Sequence, residues 1–362
     1  MSSAPTIQIA GFRPDILVAA LKAVAEPTRL RVLMLLRAGE LNVKDLTLVL
    51  GQSQPRLSRH LKLLTEAGLV ERFREGSWVY FYVSDRTEGG KLARALMTMA
   101  DPTDPVLELD AERASEIKVQ REASSQKYFE THAGDWDRIR SLHVSERAVE
   151  RAMVSILGPG PFDTFVDLGT GTGRILQLFS QRFAYGVGFD VNQAMLTYAR
   201  SKISAAGIVH AHLRHGDLYN IPMPSGEADV VVMHQVLHFL SEPQRAISEA
   251  ARVLKPDGRL LVVDFLPHDF EFLRDEHAHE RLGFSTAIME GWCADAGLNL
   301  TATETLPIAI RKQTSAPGIE PAKTGRHNDD EGLTVALWCA ERAHVIPEVQ
   351  APTGIDVELE EI

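Results

Sequence analysis

Cysteine is nearly absent. The 362-residue sequence holds two, Cys293 and Cys339, each alone in an apolar setting. That excludes a disulfide framework and a cysteine-rich metal cluster. No run of about eighteen apolar residues occurs, so nothing reads as a membrane span. The opening MSSAPTIQIAGFRPD lacks a basic stretch followed by an apolar one. Secretion is therefore not expected, and a cytoplasmic location is. Positive charge is also short, with 38 Lys and Arg against 49 Asp and Glu. The deficit is uneven: residues 1–100 carry 14 positive and 9 negative side chains, leaving 24 against 40 for the rest. A basic head on an acidic body suggests that the head alone meets a polyanion.

The length predicts two domains, and an apolar share of 44% suffices for two cores. Residues 14–84 read as four short helices and a hairpin, and TEGGKLARALMTMA as one more helix. DPTDP (101–105) breaks the chain, and a charged, Gly-free segment from Val106 to about Phe129 predicts a long connecting helix. Strands and helices then alternate from about Phe162 to Ala296, the pattern of a parallel sheet covered on both faces. The expected division is 1–100 for the head, 101–127 for a helical linker and 128–344 for the α/β domain. A polar, mobile loop is expected at 311–332 and a disordered acidic tail at 345–362.

Within the head, GQSQPRLSRHLKLL carries an apolar stripe, Leu57, Leu61 and Leu64, at helical spacing. Ser53 stands where a cap belongs, and Pro55 fits the first turn. Arg56, Ser58, Arg59 and Lys62 lie opposite the stripe, with Ser53 and Gln54 at the leading end. The preceding helix ends at Gly51, so two helices meet across a tight turn, as a helix-turn-helix requires. VERFREGSWVYFYVS alternates on both sides of a turn and makes a wing, with Arg72 and Arg74 on one face. Such a helix can enter the major groove while the wing meets phosphate. A solvated charged face, or a winged helix used only for dimerisation, are the plainer readings.

This stretch resembles the ArsR/SmtB family of bacterial winged-helix repressors over about residues 14–100. The resemblance implies a homodimer built on the terminal helices, with two recognition helices reading a palindromic duplex. It implies Ser53, Gln54, Arg56, Ser58, Arg59, His60 and Lys62 as DNA-binding residues, and Arg74 in the wing. The family's metal sensors place two thiolates in the helix before the recognition helix. Here ELNVKDL offers Asn42 and Lys44, so no metal is expected.

A different chemistry follows. In FVDLGTGTGRI, Gly169, Gly171 and Gly173 alternate between a short apolar strand and a helix, which lets backbone approach a ligand closely. Arg174 takes the place of the last glycine of a dinucleotide fingerprint, which weakens that reading. The next strand ends in Asp190, whose carboxylate can accept both hydroxyls of a ribose. This train, with HGDLYN, ADVVVMH and VLKPDGRLLVVDF after it, resembles the class I S-adenosylmethionine-dependent methyltransferases, close to the ubiquinone/menaquinone group. The resemblance implies an α/β doubly wound, Rossmann-like domain behind an α+β winged helix, its seven-stranded sheet closing on an antiparallel strand, LTVALWCA. It also implies that Asp167, Gly169, Gly171 and Gly173 line the methionine portion of S-adenosylmethionine. Asp190 takes the ribose, Asp217 and Leu218 the adenine, and His234 stands near the sulfonium.

Methyl transfer needs positioning more than a universal catalytic residue. His234, His277 and His279 are the candidates for a base or substrate clamp, with His238 and His268 behind them. His277 and His279, two apart on an expected helix, face different ways and cannot share a metal. Tyr128, Trp136 and His143 are possible lid contacts. Two scattered cysteines argue against a metalloid substrate. Two readings stand side by side. One is a transcriptional repressor sensing S-adenosylmethionine or S-adenosylhomocysteine, since fusions of these families resemble regulators of methionine and S-adenosylmethionine metabolism. The other is a working small-molecule methyltransferase whose winged helix only dimerises it. The polar, basic outer face of the recognition helix favours the first.

Overall fold

A computed structural model describes residues 13–37, 39–75, 77–84, 87–136, 146–307 and 333–343. The loop expected at 311–332, the tail at 345–362 and His143 lie outside the described residues. No helix among the described residues is long and apolar enough to cross a membrane.

The head comprises α1 (Pro14–Val24), α2 (Pro27–Leu35), β1 (Leu41–Asn42), α3 (Val43–Leu50), α4 (Gln54–Glu66), β2 (Glu71–Glu75), β3 (Trp78–Tyr82) and α5 (Glu88–Met99). Leu57, Leu61 and Leu64 are buried as the stripe requires, against Val32, Leu46 and Phe81. Asn42 caps α3 by accepting from Asp45 N, and Gly51 ends it in the left-handed region at φ 61°. Ser53 sits at the N-cap of α4, but its side chain makes no capping bond.

α6 (Pro105–His132) follows, capped by Asp104, which accepts from the amides of Val106 and Leu107. It is longer than the expected linker and enters the second domain without a break. At about 1.5 Å per residue it spans roughly 40 Å. Asp110 binds Arg31 of α2 at 2.6 and 2.7 Å, Arg121 pairs with Asp45 of α3, and Arg113 donates to the Val49 carbonyl.

The second domain contains α7 (Glu146–Leu157), β4 (Phe162–Leu168), α8 (Arg174–Phe179), β5 (Phe183–Asp190), α9 (Gln193–Ala205), β6 (Ala211–His215) and β7 (Ala228–His234). There follow α10 (Pro243–Val253), β8 (Leu254–Phe265), α11 (Phe272–His277), α12 (Thr286–Asp295), β9 (Leu298–Pro307) and β10 (Thr334–Arg342). The seven strands are ordered β6-β5-β4-β7-β8-β10-β9. β4 pairs in parallel with β5 on one side and β7 on the other, while β10 runs antiparallel to both neighbours. This is the expected sheet with its antiparallel closing strand. The order reverses at β4, and an open sheet of this kind gathers ligands at the carboxyl ends beside that point.

Two local features bear on the strands and helices around the site. Lys255–Gly258 form a turn at the start of β8: the register against β7 jumps from Leu254 to Arg259, and Asp257 is left-handed at φ 61°. Lys255 also pairs with Asp229 at 2.8 Å. His277 and His279 do not share a helix, because Ala278 turns left-handed at φ 57° and ends α11.

Candidate functional site

The cleft at the β4–β7 crossover has a volume of about 400 Å³, within the range of small-molecule sites. Gly169, Thr170 and Gly171 form its floor, and Asp190, Asp217, Leu218 and His234 stand around it. Gly169 holds φ 72°, and a Cβ there would fall 2.4 Å from Val236. Only glycine fits, and it brings the backbone flush with the cleft. Asp190 accepts from Gly171 N and Asn192 N, each at 2.8 Å. A carboxylate offers about four acceptor positions, so two are left for a ligand's hydroxyls. Burial pushes the Asp190 pKa up, against the pull of those amides.

Asp167 and Gly173 stand behind the cleft wall. Asp167 is 1% exposed and accepts from the Thr170 hydroxyl at 2.6 Å, which fixes the glycine loop. A Cβ on Gly173 would lie 3.3 Å from Ala199, so this glycine seats α9.

Of the other cleft residues, Trp136 is one of the expected lid contacts, whereas Gln235, Phe129 and Phe239 carried no sequence signal. Gln235 is held left-handed at φ 51°, and its amide donates to the Val263 carbonyl at 2.7 Å. Strain of this kind in a non-glycine residue clusters at functional sites. At the mouth Phe129 meets Trp136 and Phe239 edge to face, and Trp136 and Phe239 are tilted against each other. Ser125, Gln126 and Phe129 come from α6, and Asn192 donates to Gln126 Oε1 at 3.1 Å. The connecting helix is therefore itself a wall of the cleft.

Of the histidines proposed for chemistry, His234 lines the cleft, whereas His277 and His279 do not. His277 Nδ1 lies 2.8 Å from the Tyr128 hydroxyl, and burial lowers its pKa. The His279 ring lies against His238, which is 2% exposed and bonded through Nδ1 to Asp264 at 2.7 Å. Burial lowers His268 to about 4.

On α4, Ser53, Gln54, Arg56, Ser58, Arg59 and Lys62 are all exposed. His60 is the exception: its Nδ1 lies 3.5 Å from Glu26, turned toward α2. Arg74 is exposed on β2.

The other face of the wing packs on the second domain. Glu75 at its tip is buried and accepts from Arg274 Nη2 at 2.7 Å, Arg281 Nε at 2.9 Å and Leu282 N at 2.5 Å. The Arg274 guanidinium lies 4.1 Å from the Trp78 ring centroid, and that of Arg281 lies 4.8 Å from Tyr80. Ser77 N donates to Glu271 at 2.6 Å. Burial pushes the Tyr80 phenol up to about 12. The segment that holds the wing, residues 271–282, also carries His277 and His279. Among the described residues no group of His, Cys, Asp or Glu is arranged to hold a metal ion.

Residues 26–72 match the bacterial regulatory protein, arsR family, and residues 166–262 match the methyltransferase domain family. The uncharacterized methyltransferase YcgJ of Bacillus subtilis (strain 168) is 31% identical over 105 residues, 29% of this chain and 42% of that protein. The ubiquinone/menaquinone biosynthesis C-methyltransferase UbiE of Vibrio vulnificus (strain YJ016) is 29% identical over 154 residues, 41% of this chain and 59% of the relative. The chain thus spans less than two thirds of either relative. The crystal structure of YcgJ covers 55% of this chain and 99% of its own, at 21% identity and a TM-score of 0.45.

Proposed function

From a chain that joins an arsR-family regulatory segment to a methyltransferase domain, we propose a DNA-binding transcriptional repressor with S-adenosylmethionine or S-adenosylhomocysteine as its effector. The observation that carries this reading is α6. One unbroken helix grips α2 and α3 of the winged helix and walls the cleft with Ser125, Gln126 and Phe129. A ligand that moves that wall bears directly on the element that seats the recognition helix, which is the differential contact an allosteric effector requires.

The cleft fits the cofactor. Asp190 keeps acceptor capacity for the ribose hydroxyls, Asp217 and Leu218 take the adenine, and Gly169 and Gly171 leave room for the methionine portion. S-adenosylmethionine, when bound, supplies a sulfonium methyl. His234 stands on the cleft wall, and the aromatic mouth of Phe129, Trp136 and Phe239 excludes water.

Arg56, Ser58, Arg59 and Lys62 read the duplex from α4, and Arg74 reaches phosphate. The protein acts as a cytoplasmic homodimer. Val18, Leu21 and Met99 on the terminal helices α1 and α5 are 49%, 48% and 81% exposed, an apolar face suited to a second copy.

A working methyltransferase is the second reading, favoured by His234 in the cleft and by the names of the curated relatives. A gel shift on the DNA upstream of the protein's own coding sequence, with and without each sulfur nucleoside, tests the first. A shift that responds to neither nucleoside refutes the effector role. A mass gain of one methyl on offered acceptors would establish the second.

A further inference from the structure

The segment 235–240 stands between the cleft and the wing. Gln235, Val236, Phe239 and Leu240 line the cleft. His238, in their midst, does not, and it is buried. Its Nδ1 lies 2.7 Å from Asp264 Oδ1, and its amide donates to Asp264 Oδ2 at 3.3 Å, which ties the segment to β8. Its carbonyl accepts from two successive amides, Glu280 at 2.9 Å and Arg281 at 3.0 Å.

Arg281 Nε in turn donates to Glu75 at the wing tip, at 2.9 Å. From Phe239 in the cleft to Glu75 in the wing there are thus one peptide link and two hydrogen bonds, none of them on α6. His238, Arg281 and Glu75 are all buried, and a close-packed interior passes a displacement on rather than absorbing it. Gln235, at the head of the segment, is held left-handed at φ 51°. Such strain persists only while the surroundings impose it, so a ligand that changes those surroundings shifts the segment. At the far end, successive residues of a strand point to opposite faces. Glu75 is gripped by the second domain while its neighbour Arg74 is exposed. A shift of Glu75 therefore re-aims Arg74.

Building on the effector role proposed above, we propose that the wing is itself a regulated element. Occupancy of the cleft is relayed to it by segment 235–240 through His238, Arg281 and Glu75, in parallel with the α6 route to α2 and α3. A nucleoside seated against Val236 and Phe239 displaces the His238 carbonyl. The amides of Glu280 and Arg281 follow, and the angle at which the wing offers Arg74 to phosphate changes with them. His238 is a positioning residue in this relay.

Hydrogen exchange on the full chain tests the relay, with saturation by S-adenosylhomocysteine established separately by calorimetry. On saturation the wing amides at 71–82 should change their exchange rates about fivefold or more, the lower end of a coupling between sites. In Glu75→Gln, which keeps the side chain's shape and removes its charge, the wing response should disappear while that of α2 and α3 persists. Should Glu75→Gln fail to fold, Glu271→Ala takes its place. That side chain is 36% exposed and accepts from Ser77 N at 2.6 Å, so its loss loosens the wing tip at lower cost. An unchanged wing at calorimetric saturation overturns the relay and leaves the α6 route standing. A wing response kept in full by the folded variant overturns it as well. Absence of nucleoside binding in calorimetry is instead the failure of the effector role itself, and the relay falls with it.

Discussion

Glu75 and Arg274 stand 199 residues apart in the chain and share a 2.7 Å ion pair, with side chains 4% and 5% exposed. The wing tip and the segment 271–282 of the second domain, which carries His277 and His279, are thus one joint. Burying two charges is worthwhile only when every remaining polar position is met. Glu75 meets this condition with three donors, and Arg274 adds a contact with the face of Trp78.

Glu75→Ala should therefore destabilise the chain by about 3 kcal/mol, since Arg274 and Arg281 lose the buried carboxylate they share and keep only Glu271 at 3.4 Å and Glu40 at 3.0 Å. Urea unfolding measures this. A double-mutant cycle with Arg274→Met should recover part of the loss. Additive effects would show that the pair contributes packing alone.

Asp190→Ala should weaken S-adenosylhomocysteine roughly tenfold to a hundredfold, the value of charge-assisted bonds to ribose hydroxyls. DNA affinity without nucleoside should be unchanged. Calorimetry decides, and unaltered nucleoside affinity would place the ribose elsewhere.

Arg59→Ala should cost about 1–3 kcal/mol of operator affinity and leave nucleoside binding intact. A His60→Ala variant should behave differently, because His60 faces Glu26. Its effect should appear in stability before DNA binding. Equal loss of DNA affinity in both variants would return His60 to the reading face.

Burial holds His268 neutral down to about 4, well below its ordinary 6.5. The unfolded chain takes up that proton first, so stability falls as pH drops between these values, by up to ~1.4 kcal/mol per pH unit. Above this window the group contributes no slope. His268→Gln should flatten this part of the denaturation profile, and an unchanged profile would assign the slope to other groups.

The parts of this architecture that were legible are those with local causes. The leucine stripe of α4 and its basic outer side follow from helical period. Gly169 and Asp190 follow from a strand ending at a turn. The wing joint was not legible, because Glu75 looks like any hairpin turn residue until Arg274 and Arg281 are brought to it. Gln235 gave no sign either, since nothing in its sequence marks a left-handed backbone. His279 misled because the helix expected across it stops one residue earlier, at Ala278. Asp167 and Gly173 belong to the motif, yet their side-chain positions serve the loop and α9 rather than the cleft.

A helix turns by about 100° and advances about 1.5 Å with each residue. α6 meets Asp45 through Arg121 and reaches the cleft at the β4–β7 crossover through Gln126 and Phe129. The residue count between these points sets the phase at which both grips close. A single insertion or deletion between them would swing one grip away from the other. In this helix the number of residues between Arg121 and Phe129 matters as much as their identity.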